Sequence, residues 1–507
     1  MSSIVNFIRN NVALCVASCG FALIGFLGYR LVKWLIQKCH KTAQIDRVAR
    51  EAMRRRPEHS VQPNPLLHRV TKDDKLEIVE KDGTHRKPEI LLFNCNYGSG
   101  HKMATKGIEK SLEECSIDAV DIYDGPLKPL DPLRTLAPRF NNEKIFNLMA
   151  KHELNGLMNG IVKLAPATLH LQKGRIEKLL LDHIAQKRYD MIISCIPAVN
   201  PMLESVAKKL NIPFLVVTTD IDISNFCMGF SHRNPPRDTK NFRITVPFSQ
   251  ESWEEDLGRQ LPEAVKESLQ YSFGYPTRRE FSETPSEATL NELREEYQIK
   301  EDEQVILVMM GGNAAQAAIS YADLLLQMND QELDKVVGKD TDRNKIRLIC
   351  LCGDTSKKEN KQFMDELNAR NKGNQRVTIH ACKGTPRIAE IASLPELATV
   401  ISKPGGGTVN EMIKKRVPMV YHISSTLLDW EKGNLQYGEK HHLGKAFQVK
   451  GRNKKALRKG LVNALSETFA LHHEIQDGSR DVPEAAFDFS DNCRSAVQEM
   501  LAGVAEH

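Results

Sequence analysis

From residue 89 onward, short apolar runs alternate with stretches of helical periodicity. Residues 89–94, 119–123, 191–194 and 213–218 form one series of runs, and 304–309, 346–350, 376–379, 399–402 and 418–421 form a second. These runs are nearly continuous in Val, Ile, Leu, Met and Phe, which predicts strands covered on both faces, as in a parallel sheet. Alternation with helical pattern is the mark of β-α units and an α/β fold. A charged stretch, 280–302, containing Thr284, Pro285 and Ser286, separates the series. Two Rossmann-like domains in tandem are expected, 86–283 and 284–475, with ligands in a cleft at the carboxyl ends of the strands. Residues 476–507 are expected to form a helical segment.

The first forty residues follow another pattern. Between Arg9 and Arg30 lie twenty residues without a charge, 10–29. That length of helix spans about 30 Å, enough for a bilayer core. Basic residues follow the span, which predicts a single-pass membrane protein with its body on the cytoplasmic side. Two alternatives are a cleaved signal peptide and a lipoprotein signal ending at Val16-Ala17-Ser18-Cys19. Against both, the apolar run continues too far, and the charge needed before it is weak. Residues 1–40 are therefore read as an anchor and 41–85 as a basic neck and linker.

Charge supports this division. The net charge is +5, yet the segment 30–56 alone carries +7 and Arg9 adds one, leaving −3 elsewhere. The neck suits an anionic membrane surface, whereas the slightly acidic body lacks the basic face of a nucleic-acid binder. The eleven cysteines show no disulfide framework, and Cys350-Leu351-Cys352 has the wrong spacing for a zinc site. No metal and no cofactor are expected.

Three glycine-rich turns follow predicted strands: Gly98-Ser99-Gly100-His101, Gly311-Gly312-Asn313, and Lys403-Pro404-Gly405-Gly406-Gly407-Thr408 with Glu411 beyond it. Glycine lets backbone approach a ligand closely, and a helix amino terminus favours anions. None matches a Walker loop or the dinucleotide fingerprint. Three such turns over two domains point to a nucleotide diphosphate held between them.

These motifs, in this order, resemble the monogalactosyldiacylglycerol synthase family of glycosyltransferases, relatives of MurG-type enzymes with the GT-B fold. The resemblance covers roughly residues 88 to 450. It also includes Thr218-Thr219-Asp220, Phe273-Gly274-Tyr275-Pro276-Thr277 with Arg278-Arg279-Glu280-Phe281, and Glu431-Lys432-Gly433-Asn434. It implies an acceptor domain followed by a UDP-sugar domain, and inverting transfer of a hexose from UDP-galactose or UDP-glucose to a lipid such as diacylglycerol. The chain departs from the family pattern at Trp430, where Gln is usual, at Cys195-Ile196-Pro197, where His-Pro is usual, and in the fewer glycines after Gly312.

Such chemistry needs a base for the acceptor hydroxyl. His101 fits, because an imidazole titrates near neutrality and a helix amino terminus helps keep it uncharged; the alternative is a helix-start contact to phosphate or backbone. Asp220 is a second candidate, or a cap closing a strand. Gly98, Gly100, Gly311, Gly312, Asn313, Gly406, Gly407 and Thr408 are the glycine-turn positions expected to line the donor cleft, most of them around diphosphate. Glu411 would accept ribose hydroxyls, unless it is only a solvated helix carboxylate. The resemblance further implies sugar contacts from Glu431 and Asn434, with 382–386, beginning at Cys382, over the uracil. Two other classes remain compatible with the same fold: a nucleotide-sugar or lipid-binding scaffold without turnover, and a UDP-sugar epimerase.

Overall fold

The computed structural model describes residues 69–70, 76–80, 82–95, 100–130, 149, 154–232, 235–255, 257, 261–310, 315–338, 342–371, 374–423, 426–449, 451 and 453–504. The expected span at 10–29 lies outside them. Among the described residues no helix is long and apolar enough to cross a membrane.

Three short strands, β1 (Arg69–Val70), β2 (Ile78–Val79) and β3 (His85–Arg86), pair antiparallel. They correct the expectation of linker up to 85. Leu76 and Ile78 are buried, and Arg86 grips Asp190 through two hydrogen bonds of 2.6 Å.

The first large sheet has six parallel strands: β4 (Glu89–Asn94), β5 (Ser116–Asp121), β6 (Met191–Ser194), β7 (Phe214–Val216), β8 (Phe242–Thr245) and β9 (Leu269–Gln270). Their order is β5-β4-β6-β7-β8-β9. The second comprises β10 (Glu303–Val308), β11 (Lys345–Leu351), β12 (Val377–Cys382), β13 (Leu397–Ser402), β14 (Met419–Ile423) and β15 (Gly444–Gln448), in the order β12-β11-β10-β13-β14-β15. This is the doubly wound arrangement, with the order reversing at β10 and β13. The central strands are those whose apolar runs are continuous, and β10 and β13 are buried along their whole length. The strands missing from the pattern, β8, β9 and β15, lie toward or at one margin of each sheet and carry mixed residues. The edge strand β5 starts earlier than its apolar residues because it is only half-buried.

The helices that matter below are α1 (Gly100–Ser111), α2 (Asn155–Leu171), α3 (Gly406–Lys414), α4 (Asp429–Lys440) and α5 (Phe489–Val504). The last follows the second sheet in sequence but packs against the first, with Phe489 edge-on to Phe273 at 5.7 Å between ring centres. Asn492 donates to the Ser272 and Phe273 carbonyls, and Arg494 and Arg243 pair with Glu114 and Glu499 across the same contact. Phe489→Ala should cost about 3–5 kcal/mol, the usual penalty for truncating a buried aromatic. Urea unfolding of the full chain measures it, and limited proteolysis should show α5 released first.

Candidate functional site

Each sheet has one point where its strand order reverses, and the two points meet. In the first, β4 and β6 diverge and α1 starts between them, placing His101 on its first turn. In the second, β10 and β13 diverge, and the turn after β13 opens α3 at Gly406. A Cβ on Gly406 would lie 2.4 Å from the Thr219 carbonyl oxygen and 2.8 Å from an Asp220 carboxyl oxygen. No side chain fits, so glycine is what lets α3 press its amino terminus onto the loop after β7. Gly407 faces the start of α1 in turn, with a Cβ there 4.0 Å from Gly100 Cα.

His101 is fixed by the loop after β6. Its Nδ1 lies 2.9 Å from the Cys195 carbonyl oxygen, an atom that can only accept, so Nδ1 carries the proton. Thr219 Oγ1 sits 3.2 Å from the same nitrogen. Nε2 is left with its lone pair and, among the described residues, has no protein partner. Burial pushes the imidazole down to about 4, although the Cys195 contact opposes this. The helix amino terminus acts in the same direction as burial, since it disfavours a cation. Cys195 itself is buried and its thiol is pushed up to about 12, which makes it packing rather than a nucleophile.

Asp220 is raised well above the ordinary carboxylate range, first by burial, with Glu431 and Asp222 adding to the effect and Asn434 opposing it. Glu431 is raised too, by burial, and Lys403 draws it back. Glu431 therefore faces a cation from the same turn as Gly406. Asn434 is fully buried. Its Oδ1 accepts from Ile221 N–H at 2.9 Å and its Nδ2 donates to the Pro404 carbonyl at 3.0 Å, with Asp220 at 3.5 Å. The amide oxygen thus joins the two halves and the amide nitrogen ties α4 to the turn after β13, and an expected contact with sugar hydroxyls would have to displace one of these bonds. Gly433 beside it is required by Asp222, whose Cβ would be 2.4 Å from a methyl there.

Glu411 is not a solvated carboxylate. It is buried, with Arg278 Nε donating to it at 3.1 Å, and burial raises its pKa while the guanidinium lowers it. Arg278 also reaches the Pro386 carbonyl at 3.4 Å, which brings the 382–386 turn to the same rim. Cys382 is half-buried and its thiol is pushed up to about 12. Thr408 lies on the first turn of α3. Gly98, Gly311, Gly312 and Asn313 lie outside the described residues.

Four residues take part in the site without a role expected from the sequence. Lys403 and Arg278 stand inside the glycine-rich turn and the segment after Thr277, and their charges were the available signal. Asn155 and Asn159 lie on α2 and contact the loop before α4. Their spacing of four in an otherwise apolar stretch was a signal as well.

No family model matches the sequence, and no curated protein is similar to it. Among solved structures, the chain is similar to Acinetobacter baumannii MurG at 13% identity, with 82% of this chain and 99% of that one covered and a TM-score of 0.50. A Polygonum tinctorium UDP-glucosyltransferase capable of glucosylating indoxyl is matched at 13% identity over 82% of this chain and 99% of that one, with a TM-score of 0.48. The MurG match supports a common fold of two Rossmann-like domains facing a cleft.

A ring-nitrogen NMR titration checks the histidine. His101 should show the Nδ1–H tautomer and remain neutral down to a midpoint near 4. Because the folded value lies below the ordinary one, His101 favours folding above pH 6.5 and loses that contribution as pH falls toward 4. Replacing Gly406 by Ala should push the halves apart and destabilise the chain by about 1–3 kcal/mol, the usual cost of overpacking, as read by urea unfolding, since a backbone carbonyl cannot yield to the added methyl.

Proposed function

We propose that the chain is an inverting glycosyltransferase that moves a hexose from a UDP-sugar to the hydroxyl of a lipid, with diacylglycerol as the expected acceptor. The observation that carries this reading is the neutral His101, its Nε2 lone pair kept available where the two strand-order reversals meet. Nε2 takes the proton of the acceptor hydroxyl as that oxygen attacks the anomeric carbon, and the bond to UDP breaks on the opposite face. The amino terminus of α3 with Lys403 meets the diphosphate charge, Glu411 accepts ribose hydroxyls, and Glu431 the sugar. The expected anchor at 10–29 supports a lipid acceptor. So do Leu154, Leu157, Ile161 and Leu171, which are 47%, 48%, 49% and 86% exposed on and beside α2.

The scaffold reading has its own observation: Asn434 and Glu411 are already engaged by protein. Turnover separates the two. UDP release should be measured with the full chain in diacylglycerol-containing vesicles, offering UDP-galactose and UDP-glucose separately. Lipid-dependent release is expected with at least one donor, and His101→Ala should lower kcat about 10²- to 10⁴-fold, the range for loss of a general base. UDP binding with no release from either donor would favour the scaffold.

A further inference from the structure

Helix α4 carries Glu431 in its first turn, yet the residue at its N-cap position is Leu428, whose side chain offers no hydrogen-bond acceptor. The first N–H groups of a helix have no partner within it, and an uncapped end is costly when half-buried. Here a partner comes from the other half of the molecule. Asn159 Oδ1 accepts from Asp429 N–H at 3.0 Å, and Asp429 is the first residue of α4. The Nδ2 of the same amide donates to the Leu427 carbonyl at 3.0 Å. One turn earlier on α2, Asn155 Nδ2 donates to the Thr426 carbonyl at 2.5 Å. One turn later, Lys163 reaches the Asp429 carboxylate at 3.4 Å.

Positions 155, 159 and 163 fall on one side of α2, because residues four apart advance only about 40° around a helix. Both asparagines are buried in this contact. The capped turn holds the other end of the arrangement as well: Glu431 Oε2 accepts from Leu428 N–H at 3.4 Å.

We infer that Asn159, assisted by Asn155, is a positioning residue that caps α4 from across the cleft and thereby sets the Glu431 carboxylate. The inference rests on the proposed function for the statement that Glu431 meets the donor sugar. Helix α2 belongs to the acceptor half and α4 to the donor half, so the sugar site is complete only while the two halves are together. A donor bound to an open cleft meets a frayed α4 and a displaced Glu431. This favours transfer over idle cleavage of the UDP-sugar, because the grip on the sugar depends on the half that receives it.

The test uses the full chain in detergent micelles or vesicles, as wild type, Asn159→Ala, Asn155→Ala, and Asn159→Ala combined with Leu428→Ser. The serine supplies an acceptor at the N-cap position, toward the second or third N–H of α4, and so steadies the same first turn from its own chain segment. Hydrogen exchange over 426–434 should speed up in Asn159→Ala by about 2- to 30-fold, the range for loss of one cap. The effect should be smaller in Asn155→Ala and largely reversed by the added serine. KM for the UDP-sugar should rise by a similar factor and be rescued by the same serine, while the affinity for UDP, which lacks the sugar, stays constant. Unchanged exchange in Asn159→Ala, or faster exchange that Leu428→Ser does not reverse, overturns the cap. Faster exchange with an unchanged UDP-sugar KM overturns the positioning role. Absence of turnover in the wild type would sink the proposed function instead, and the exchange data would still decide the cap.

Discussion

The contact on which the rest depends is the one between the first turn of α3 and the loop after β7. At Gly406 there is no room for a single methyl group, so the two halves meet backbone to backbone. That proximity brings the two strand-order reversals, and with them His101, Asp220, Lys403 and Glu431, to one place. It also removes water from between them, which is why the nearby side chains behave so unlike free ones. Burial is the first cause of the shift at His101, Asp220, Glu411 and Glu431 alike. The direction differs with the chemistry: a base is driven to its neutral form, and acids are driven toward theirs.

Burial here disfavours charge on the imidazole and on the acids alike, which suits a site that moves a proton. His101 remains an acceptor at any pH above its lowered value. Glu431 raises Asp220, which Asn434 draws back, and Lys403 draws back Glu431. Glu411 is the exception, since Arg278 supplies a countercharge at hydrogen-bonding distance. Arg278 draws the Glu411 pKa back against burial, and breaking such a buried pair by removing one member is far more costly than the pair's net contribution. The segment that carries Arg278 and the helix that carries Glu411 are therefore coupled through this ion pair.

The sequence showed the architecture because burial on two faces leaves continuous apolar runs, and the central strands of both sheets have them. It showed the edges poorly, because β15 needs only one covered face and so mixes Gly, Lys, Ala, Phe and Gln. Glycine turns could be read as close approaches, and Gly406 is one. What they approach could not be read, since Thr219 and Asp220 are nearly two hundred positions away. The same limit applies to Asn434. Its motif suggested a ligand contact, but an amide that joins Ile221 to Pro404 is defined by two backbone groups, and backbone groups leave no trace in sequence. Arg278 and Lys403 were visible as charges, but their partners were not.

The proposed transfer would require the cleft to open and close, and the contacts that span it are of a kind that permits this. Besides buried apolar packing such as the stacked Phe248 and Tyr437 rings, 4.6 Å apart, the contacts between the halves include amide hydrogen bonds from Asn155, Asn159 and Asn434 and the Arg278–Glu411 and Lys163–Asp429 pairs. An ordinary hydrogen bond contributes about 0.5–1.5 kcal/mol net, because water replaces it on opening. A handful of them amounts to a few kcal/mol, which a ligand with contacts to both halves can match through its preference for the closed form. A donor that touches α3 and Glu431 from one side, with an acceptor that lies against His101 and α2 from the other, would each favour the same closed geometry. Neither needs to pull on the other directly. Each stabilises an interface whose polar contacts are individually weak, and the glycine at position 406 makes that interface close enough for both to share it.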